Sequence, residues 1–168
     1  MARKDAAIDL GGGALRETRL LLDLGFFVTV VDTEPSVASK IADLKCRRLT
    51  YFFQSFDDFN FPFEMYDLAV ALNSLPFSSP NTFERTIKRL KQSLKPGAIF
   101  CGTLFGVNDD WNKLERAMTF LTRSAVESLF NDMDVIKLDE RYYLGLTAAG
   151  TKKHWHVFEI IAKKKYVQ

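Results

Sequence analysis

Cysteine, long apolar runs and an excess of one charge are all scarce in this sequence of 168 residues. The two cysteines, Cys46 and Cys101, lie far apart and match no paired spacing such as CxxC, which argues against a disulfide framework and a zinc knuckle. No apolar run approaches the roughly 20 residues that span a bilayer, and no apolar stretch follows the charged start Arg3-Lys4-Asp5. We therefore expect a soluble, cytoplasmic protein.

The charge of the chain is nearly balanced, with 23 Lys plus Arg, 21 Asp plus Glu and a formal net charge of +2. Nucleic-acid-binding domains usually carry a concentrated basic excess, so this balance argues against a dedicated nucleic-acid partner. The hydrophobic share of 47% and the charged share of 26% are typical of globular chains and exclude a disordered or collagen-like one. A chain of this length is expected to form a single domain over residues 1–168.

Apolar runs of two kinds alternate along the chain. Runs typical of buried strands cover residues 6–10, 26–31, 49–53, 66–72 and 98–104. Runs with helical spacing cover residues 14–24, 35–44, 83–94 and 123–130, and a turn is expected at residues 95–97. The extended runs 135–143 and 155–164 predict an antiparallel hairpin at the sheet edge. This order indicates a doubly wound, Rossmann-like α/β sheet, mostly parallel with an antiparallel end, whose ligands bind at the carboxyl ends of the strands.

A run of glycines lies where the first predicted strand turns into the first helix. Gly11, Gly12 and Gly13 allow the backbone to come close to a ligand and to present amides at a helix N-terminus. Asp32 ends the second strand about 20 residues later, where a carboxylate can accept both hydroxyls of a ribose. Together they predict a nucleoside-containing cofactor, although the glycines also suit a plain tight turn and Asp32 a helix cap. Arg16 stands where a GxGxxG motif requires glycine, so NAD is the second choice.

Several segments resemble the class I S-adenosylmethionine (SAM) dependent methyltransferases, and more narrowly their small tellurite-resistance-like branch. In the family's order, they are AIDLGGG at residues 7–13, VVD at 30–32, FD at 56–57, YDLAVA at 66–71 and LKPGA at 94–98. The resemblance implies a seven-stranded sheet with a reversed last strand, SAM as the cofactor and methyl transfer as the reaction. It also implies that the chain lacks the helices that precede the first strand in relatives and cover the cofactor.

The same resemblance assigns roles to individual positions. The cofactor contacts that it implies come from the first strand, loop and helix (Asp9, Gly11, Gly12, Gly13 and Arg16), from the end of the second strand (Asp32 and Thr33), from the adenine segment (Phe56 and Asp57) and from the sulfonium side (Leu72 and Asn73). Relatives usually carry a further glycine two residues after Gly13, where this chain has Leu15, so we expect a crowded loop.

In a sheet of this order, segments 74–81, 105–111 and 140–155 surround one mouth, where a methyl acceptor would bind. Candidate acceptor contacts there are Phe77, Trp111, Glu140, Tyr143 and Lys153. His154 and His156 alternate around Trp155 and should face the same way. His154, at the mouth, is the candidate catalytic residue, as a base or an acceptor-orienting donor. The alternative is that both imidazoles only pack and form hydrogen bonds. A zinc site would need a third and usually a fourth ligand, and the chain has no other histidine to supply one.

These observations predict a SAM-dependent methyltransferase that acts on a small-molecule acceptor. The alternatives are a SAM-binding or interaction protein without activity and a nicotinamide-dependent oxidoreductase. The segment 73–77 (NSLPF) only partly resembles the Asn-Pro-Pro-Tyr motif of nucleic-acid amino-methyltransferases, because its first proline is replaced. We expect no nucleic acid, membrane or metal partner, and a homodimer stays open as the assembly.

Overall fold

The structure is a computed structural model that describes residues 5–44, 46–114 and 117–166. Its strands are β1 (Ala6–Leu10), β2 (Phe27–Asp32), β3 (Leu49–Phe53), β4 (Tyr66–Ala71), β5 (Leu94–Gly106), β6 (Phe120–Leu121), β7 (Met133–Leu146) and β8 (Lys152–Lys164). Its α-helices are α1 (Arg16–Asp23), α2 (Pro35–Leu44), α3 (Phe83–Ser93) and α4 (Arg123–Leu129), and short 3-10 helices cover Leu75–Phe77 and Asp110–Leu114. None of the helices described here has the length and apolar character needed to cross a membrane.

The strands form one mixed sheet in the order β3-β2-β1-β4-β5-β8-β7, and β6 pairs with the end of β5. Strands β1 to β5 run parallel to one another, whereas β8 runs antiparallel to both β5 and β7. This arrangement confirms the predicted doubly wound sheet with an antiparallel C-terminal strand. The two-residue β6 makes the described sheet 8-stranded, one strand more than the sequence predicted.

The longest strands extend beyond their predicted bounds. Strand β5 begins at Leu94, so residues 95–97, predicted as a turn, belong to the strand, where Gly97 has a φ of +81°. Strands β7 and β8 pair from Met133 with Lys164 to Leu146 with Lys152, which leaves residues 147–151 as the hairpin loop. The segment 140–155 is therefore mostly strand rather than loop. Pairing between the strands satisfies backbone groups that a longer loop would leave to solvent.

The sheet is covered on both faces because its side chains alternate. Helices α3 and α4 pack on the face that carries Ile8 and Leu10, and α1 and α2 pack on the face that carries Ala7 and Val30. Such double cover explains why the parallel strands show continuous apolar runs instead of strict alternation. It leaves the carboxyl ends of β1, β2, β4 and β5 along one edge, where a ligand can reach the backbone.

Candidate active site

A tight loop between β1 and α1 forms the centre of the site. Gly11 and Gly13 have φ angles of +82° and +47°, which glycine adopts without a side-chain clash. A Cβ on Gly11 would lie 2.3 Å from the Cβ of Ser74, in the segment that follows β4. Only glycine therefore allows the loop after β1 to approach the segment after β4 so closely.

Leu15 occupies the position where relatives usually carry a glycine, and its backbone is left-handed with a φ of 58°. Its side chain is fully buried in the cluster that includes Val30 and Val70. A Cβ on Gly12 would lie 3.0 Å from Leu15 Cδ2, so the leucine fills the space beneath the loop. The crowding that Leu15 predicts therefore lies on the core side of the loop.

Asp32 ties the glycine loop to the end of β2. Its Oδ2 accepts the N–H of Gly13 at 3.0 Å, and its Oδ1 accepts the N–H of Glu34 at 2.7 Å. Lys40 on α2 donates from Nζ to the carbonyl oxygen of Gly13 at 2.9 Å. Because a carboxylate oxygen has two lone pairs, each can accept a further hydrogen bond from a ligand hydroxyl. The loop and the carboxylate thus hold each other in place.

A first cleft of about 430 Å³ opens beside Asp32. Its lining includes the predicted cofactor residues Gly11, Gly13, Asp32, Thr33, Phe56, Asp57 and Asn73, and also Glu34, Ser55, Ser74, Phe77 and Ser78. In the described part of the chain, the buried hydroxyl oxygens of Ser74 and Ser78 have no hydrogen-bond partner. Buried polar atoms are normally paired, so these hydroxyls indicate a place for a polar ligand. Sequence reasoning missed both serines, although Ser74 directly follows the predicted Asn73.

Asp57 and Phe56 form the wall of the first cleft that faces α3. Thr86 on α3 donates its hydroxyl to Asp57 Oδ1 at 2.8 Å, and Arg89 donates to the Asp57 carbonyl oxygen at 3.0 Å. The ring of Phe56 packs against the core from the cleft side. These contacts hold the predicted adenine segment against α3 without any help from a ligand.

Asn73, just beyond the end of β4, has a left-handed backbone with a φ of 52°. Its N–H donates to Thr103 Oγ1 in β5 at 2.5 Å, and this hydroxyl donates to Asn73 Oδ1 at 3.3 Å. A non-glycine residue held in this conformation by its neighbours is typical of functional sites. Thr103 therefore fixes Asn73 at the edge of the first cleft.

A second cleft of about 640 Å³ adjoins the first and shares Gly11, Gly13, Asn73 and Phe77 with it. Its remaining lining comes from the loop and α1 (Gly12, Ala14, Arg16 and Glu17), from the segments after β4 and in and after β5 (Leu72, Phe105 and Trp111) and from the hairpin (Tyr143, Leu146, Thr147, Ala148 and Trp155). The structure thus brings the predicted acceptor contacts Phe77, Trp111 and Tyr143 together. Gly12, Arg16 and Leu72, predicted to contact the cofactor, line this cleft and not the first.

Lys153, a predicted acceptor contact, lies behind the second cleft instead of lining it. Its ammonium lies 4.1 Å from the ring centre of Trp111 and 3.8 Å from that of Trp155. It forms an ion pair with the fully buried Asp109. Asp109 Oδ1 also accepts the N–H of Trp111 at 2.9 Å, and its Oδ2 accepts the N–H of His156 at 3.1 Å. The ion pair therefore positions the tryptophans, which do line the cleft.

His154, the predicted catalytic residue, lines neither cleft. Its side chain is 72% exposed, and Asp110 Oδ2 lies 3.2 Å from its Nδ1 and accepts its backbone N–H at 2.7 Å. Hydrogen bonds from Lys113 and from this N–H hold the pKa of Asp110 well below its usual range. Side chains alternate along β8, so His154 lies on the face opposite to Trp155, where Asp110 binds it.

His156 and Glu140 belong to a separate hydrogen-bond network. Glu140, like His154, lines neither cleft. The buried His156 has its Nε2 3.0 Å from Glu140 Oε1. Asn108 donates its N–H to His156 Nδ1 at 3.1 Å, which leaves Nε2–H as the donor toward Glu140. Tyr142 donates to the same Glu140 oxygen at 2.7 Å, and this hydrogen bond lowers the pKa of Glu140. Glu140 is thus engaged within the hairpin, although it was predicted as an acceptor contact.

Asp9, predicted among the cofactor contacts, lies beneath the glycine loop and lines neither cleft. It is 2% exposed and accepts a hydrogen bond from the Thr18 hydroxyl of α1. Burial raises the pKa of Asp9 from 3.8 to about 6. Asp9 therefore joins β1 to α1 and supports the loop from its core side.

The sheet order, the glycine loop and the acidic end of β2 together define a class I methyltransferase. A family model described as a methyltransferase domain matches residues 8–102. The chain belongs to this family. This assignment overturns the nicotinamide-dependent oxidoreductase considered from the sequence.

Solved structures of SAM-dependent methyltransferases share the fold over nearly the whole chain. The 1,6-didemethyltoxoflavin-N1-methyltransferase of Burkholderia thailandensis, crystallised with 1,6-didemethyltoxoflavin and S-adenosylhomocysteine (SAH), is 19% identical over 98% of this chain and 72% of its own, with a TM-score of 0.74. A SAM-dependent methyltransferase from Methanosarcina mazei is 20% identical over 99% of this chain and 95% of its own, with a TM-score of 0.74. TehB from Haemophilus influenzae is 17% identical over 98% of this chain and 59% of its own, with a TM-score of 0.82. No curated protein sequence matches the chain.

The residues present fit SAM by their own chemistry. The Asp32 carboxylate has lone pairs left for two ribose hydroxyls, and the buried Ser74 and Ser78 hydroxyls lack partners in the same cleft. A Cβ on Gly11 would disturb the loop that joins the two clefts. Among the described residues, no group of three or more His, Cys, Asp or Glu side chains is placed to hold a metal ion. A polar nucleoside ligand therefore suits the first cleft.

Proposed function

We propose that the protein transfers a methyl group from SAM to a small-molecule acceptor bound in the second cleft. The observation that carries this proposal is the meeting of two clefts, of about 430 and 640 Å³, at the glycine loop and Asn73. Both volumes fall within the range of small-molecule sites, about 300–1,000 Å³. Predicted cofactor residues line one cleft, and the other carries a wall of five aromatic side chains, so a methyl donor and an acceptor can meet where the two join.

The first cleft would hold the cofactor through groups that are already oriented. We assign the ribose hydroxyls to Asp32, the border of the adenine to Thr33, the adenine contacts to Phe56 and Asp57, and the methionine part to the backbone of Gly11–Gly13. Arg16, in the first turn of α1, is exposed beside this loop and supplies a positive charge for a carboxylate. Contacts that exist before binding reduce the entropy lost when the ligand is ordered.

Bound in the first cleft, SAM would supply an electrophilic methyl group for an acceptor lone pair, with SAH as the leaving group, and a proton on the acceptor atom would be lost to bulk solvent after the transfer. The protein contributes mainly by holding the acceptor in line and by excluding water, which can lower the barrier by several kcal/mol. Asn73 and Phe77, shared by both clefts, would orient the acceptor there. Because His154 lines neither cleft, we assign it no role in the proposed reaction.

Calorimetry with SAH tests the cofactor assignment. Asp32→Asn removes the negative charge and replaces one acceptor oxygen by a donor group, so we expect SAH to bind about tenfold or more weakly. Asp43→Asn, at an exposed acidic residue on α2, is the matched control and should bind SAH as the unmodified chain does. Equal SAH affinity of the two folded variants would contradict the role given to Asp32.

The acceptor class is tested by following SAH formation from SAM with pooled small molecules and, separately, with total RNA. We expect turnover with small molecules, because, among the described residues, the second cleft has a single basic residue in its lining, Arg16, and is not an extended basic groove. Turnover with RNA alone would contradict the proposal. A chain that binds SAH but turns over neither substrate pool would instead support the nonenzymatic alternative.

A further inference from the structure

We infer that the methyl acceptor is a flat aromatic molecule that carries no positive charge. This inference rests on the proposed function and narrows the substrate class of the second cleft. It follows from two features of that cleft, the aromatic rings of its wall and the cation that already lies behind them.

The wall consists of rings from separate segments that pack against one another. Ring centres are 5.2 Å apart for Trp111 and Trp155, 5.5 Å for Phe105 and Trp155, and 6.0 Å for Phe77 and Trp111, each pair at a steep interplanar angle. Tyr143 lies nearly parallel to Trp155, at 16° and 6.3 Å. Rings interlocked in this way have little rotamer freedom left to lose, and they offer flat apolar surface to a ligand. A rigid planar acceptor gains the most contact with such a wall.

A cation already lies against these rings on the side away from the cleft. The ammonium of Lys153 lies 4.1 Å from the ring centre of Trp111, 3.8 Å from that of Trp155 and 5.5 Å from that of Phe105. Aromatic faces attract ammonium groups, and here Lys153 uses this attraction. Asp109 balances the charge of Lys153, but the ammonium is the end of the ion pair that lies against the rings, so these rings attract a second cation on the cleft side less strongly. Neutral and anionic acceptors do not depend on this attraction.

The ion pair behind the wall also makes the wall independent of a ligand. Asp109 binds Lys153 and accepts the N–H of Trp111, and the same carboxylate accepts the N–H of His156 in β8. The segment after β5 is thereby joined to β8 on either side of the two indole rings.

The two tryptophans of the chain provide a direct readout, because both line this cleft. Incorporation of 5-fluorotryptophan gives one fluorine NMR signal for each, and Trp111→Phe assigns them. The SAH-saturated protein is titrated with 2-naphthol, 2-naphthoate, 2-naphthylmethylammonium and decahydro-2-naphthol, a set that varies charge and planarity at similar size. We expect 2-naphthol and 2-naphthoate to bind about tenfold or more tightly than the cationic and the saturated probes.

A variant locates the binding at the wall. Trp155→Leu should leave SAH affinity unchanged and weaken 2-naphthol about tenfold. Phe63→Leu, at an aromatic residue that is 75% exposed and lines neither cleft, is the matched control and should change neither affinity. The order of the four probes is measured on the unmodified sequence, so the inference can be refuted even if Trp155→Leu does not fold.

The inference is overturned if the cationic or the saturated probe binds as tightly as 2-naphthol, or if no probe shifts either tryptophan signal. Calorimetry with SAH is performed first, because it tests the proposed function separately from the acceptor class. A chain that does not bind SAH contradicts the proposed function. A chain that binds SAH but shows the wrong order of probes contradicts only the acceptor class.

Discussion

Replacing Gly11 by alanine should destabilise the fold and weaken cofactor binding, because the new methyl group has no room. The added Cβ would lie 2.3 Å from Ser74 Cβ and 3.1 Å from Ser74 Oγ, well inside the usual contact distance of about 3.5–4.0 Å. The φ of +82° adds a backbone cost of about 1–2 kcal/mol for a residue with a side chain. Overpacking typically costs about 1–3 kcal/mol more, so we expect a loss of about 2–5 kcal/mol in the free energy of unfolding.

A matched control and a rescue variant separate the two costs. Gly25 has a φ of +96°, and a Cβ there would meet nothing within 4 Å. Gly25→Ala should therefore show only the backbone cost, about 1–2 kcal/mol. In the double variant Gly11→Ala/Ser74→Gly, the nearest remaining atom of residue 74 is its Cα at 3.6 Å, an ordinary contact. We expect this double variant to recover most of the stability that the clash removes and to be about as stable as Gly25→Ala.

Urea unfolding measures the stabilities, and calorimetry with SAH measures binding by the folded proteins. Because the loop of Gly11→Ala must move away from Ser74, SAH should bind it about tenfold or more weakly. The reasoning is refuted if Gly11→Ala costs no more stability than Gly25→Ala, or if Ser74→Gly fails to rescue it.

Further substitutions test other parts of the site. The pKa of Asp9, about 6 against 3.8, means that its ionisation costs about 3 kcal/mol of stability. This cost is absent below the pKa of the unfolded state and complete above that of the folded state. Asp9→Asn should therefore stabilise the protein by up to about 3 kcal/mol above about pH 6 and hardly at all below about pH 4. If urea unfolding gives the same pH dependence of stability for the variant and the unmodified protein, this reasoning is wrong. Leu15→Gly should destabilise the protein by about 1–3 kcal/mol in the same assay, because the lost burial of the leucine side chain outweighs the relief of its left-handed backbone. Unchanged or higher stability would show that the backbone strain is the larger cost. His156→Ala should cost about 2 kcal/mol or more, because it opens a cavity and removes the acceptor of the Asn108 N–H and one hydrogen bond to Glu140. The exposed His154→Ala should change stability by less than about 0.5 kcal/mol. Thermal unfolding of both variants would contradict this reasoning if it gave the reverse order.

Much of the first cleft could be predicted because its residues belong to short local patterns. Gly11, Gly13 and Asp32 follow strands that are recognisable as apolar runs, and the carboxyl ends of parallel strands share one edge. Ser74 and Ser78 were missed because nothing local marks a serine whose hydroxyl is buried without a partner. Their role depends on how close the segment after β4 comes to the glycine loop.

The second cleft was predicted in part, because Phe77, Trp111 and Tyr143 line it and Glu140 and Lys153 do not. Alternation along β8 places Lys153 and Trp155 on the same face, yet Trp155 lines the cleft and Lys153 lies behind it. What separates them is the buried carboxylate of Asp109, from a segment more than forty residues earlier in the chain. No pattern within the hairpin contains this information.

The sequence by itself determined the class of the protein, through the order of strands and helices, the glycine run and the acidic end of the second strand. These features are readable because hydrophobic periodicity and backbone freedom are local properties of the chain. The tertiary structure alone decided which side chains face the clefts, why His154 does not, and how a lysine comes to lie behind an aromatic wall. Those outcomes depend on which charged side chains meet across long separations in sequence, as Lys153 meets Asp109 and His154 meets Asp110, and packing of the whole sheet sets these contacts.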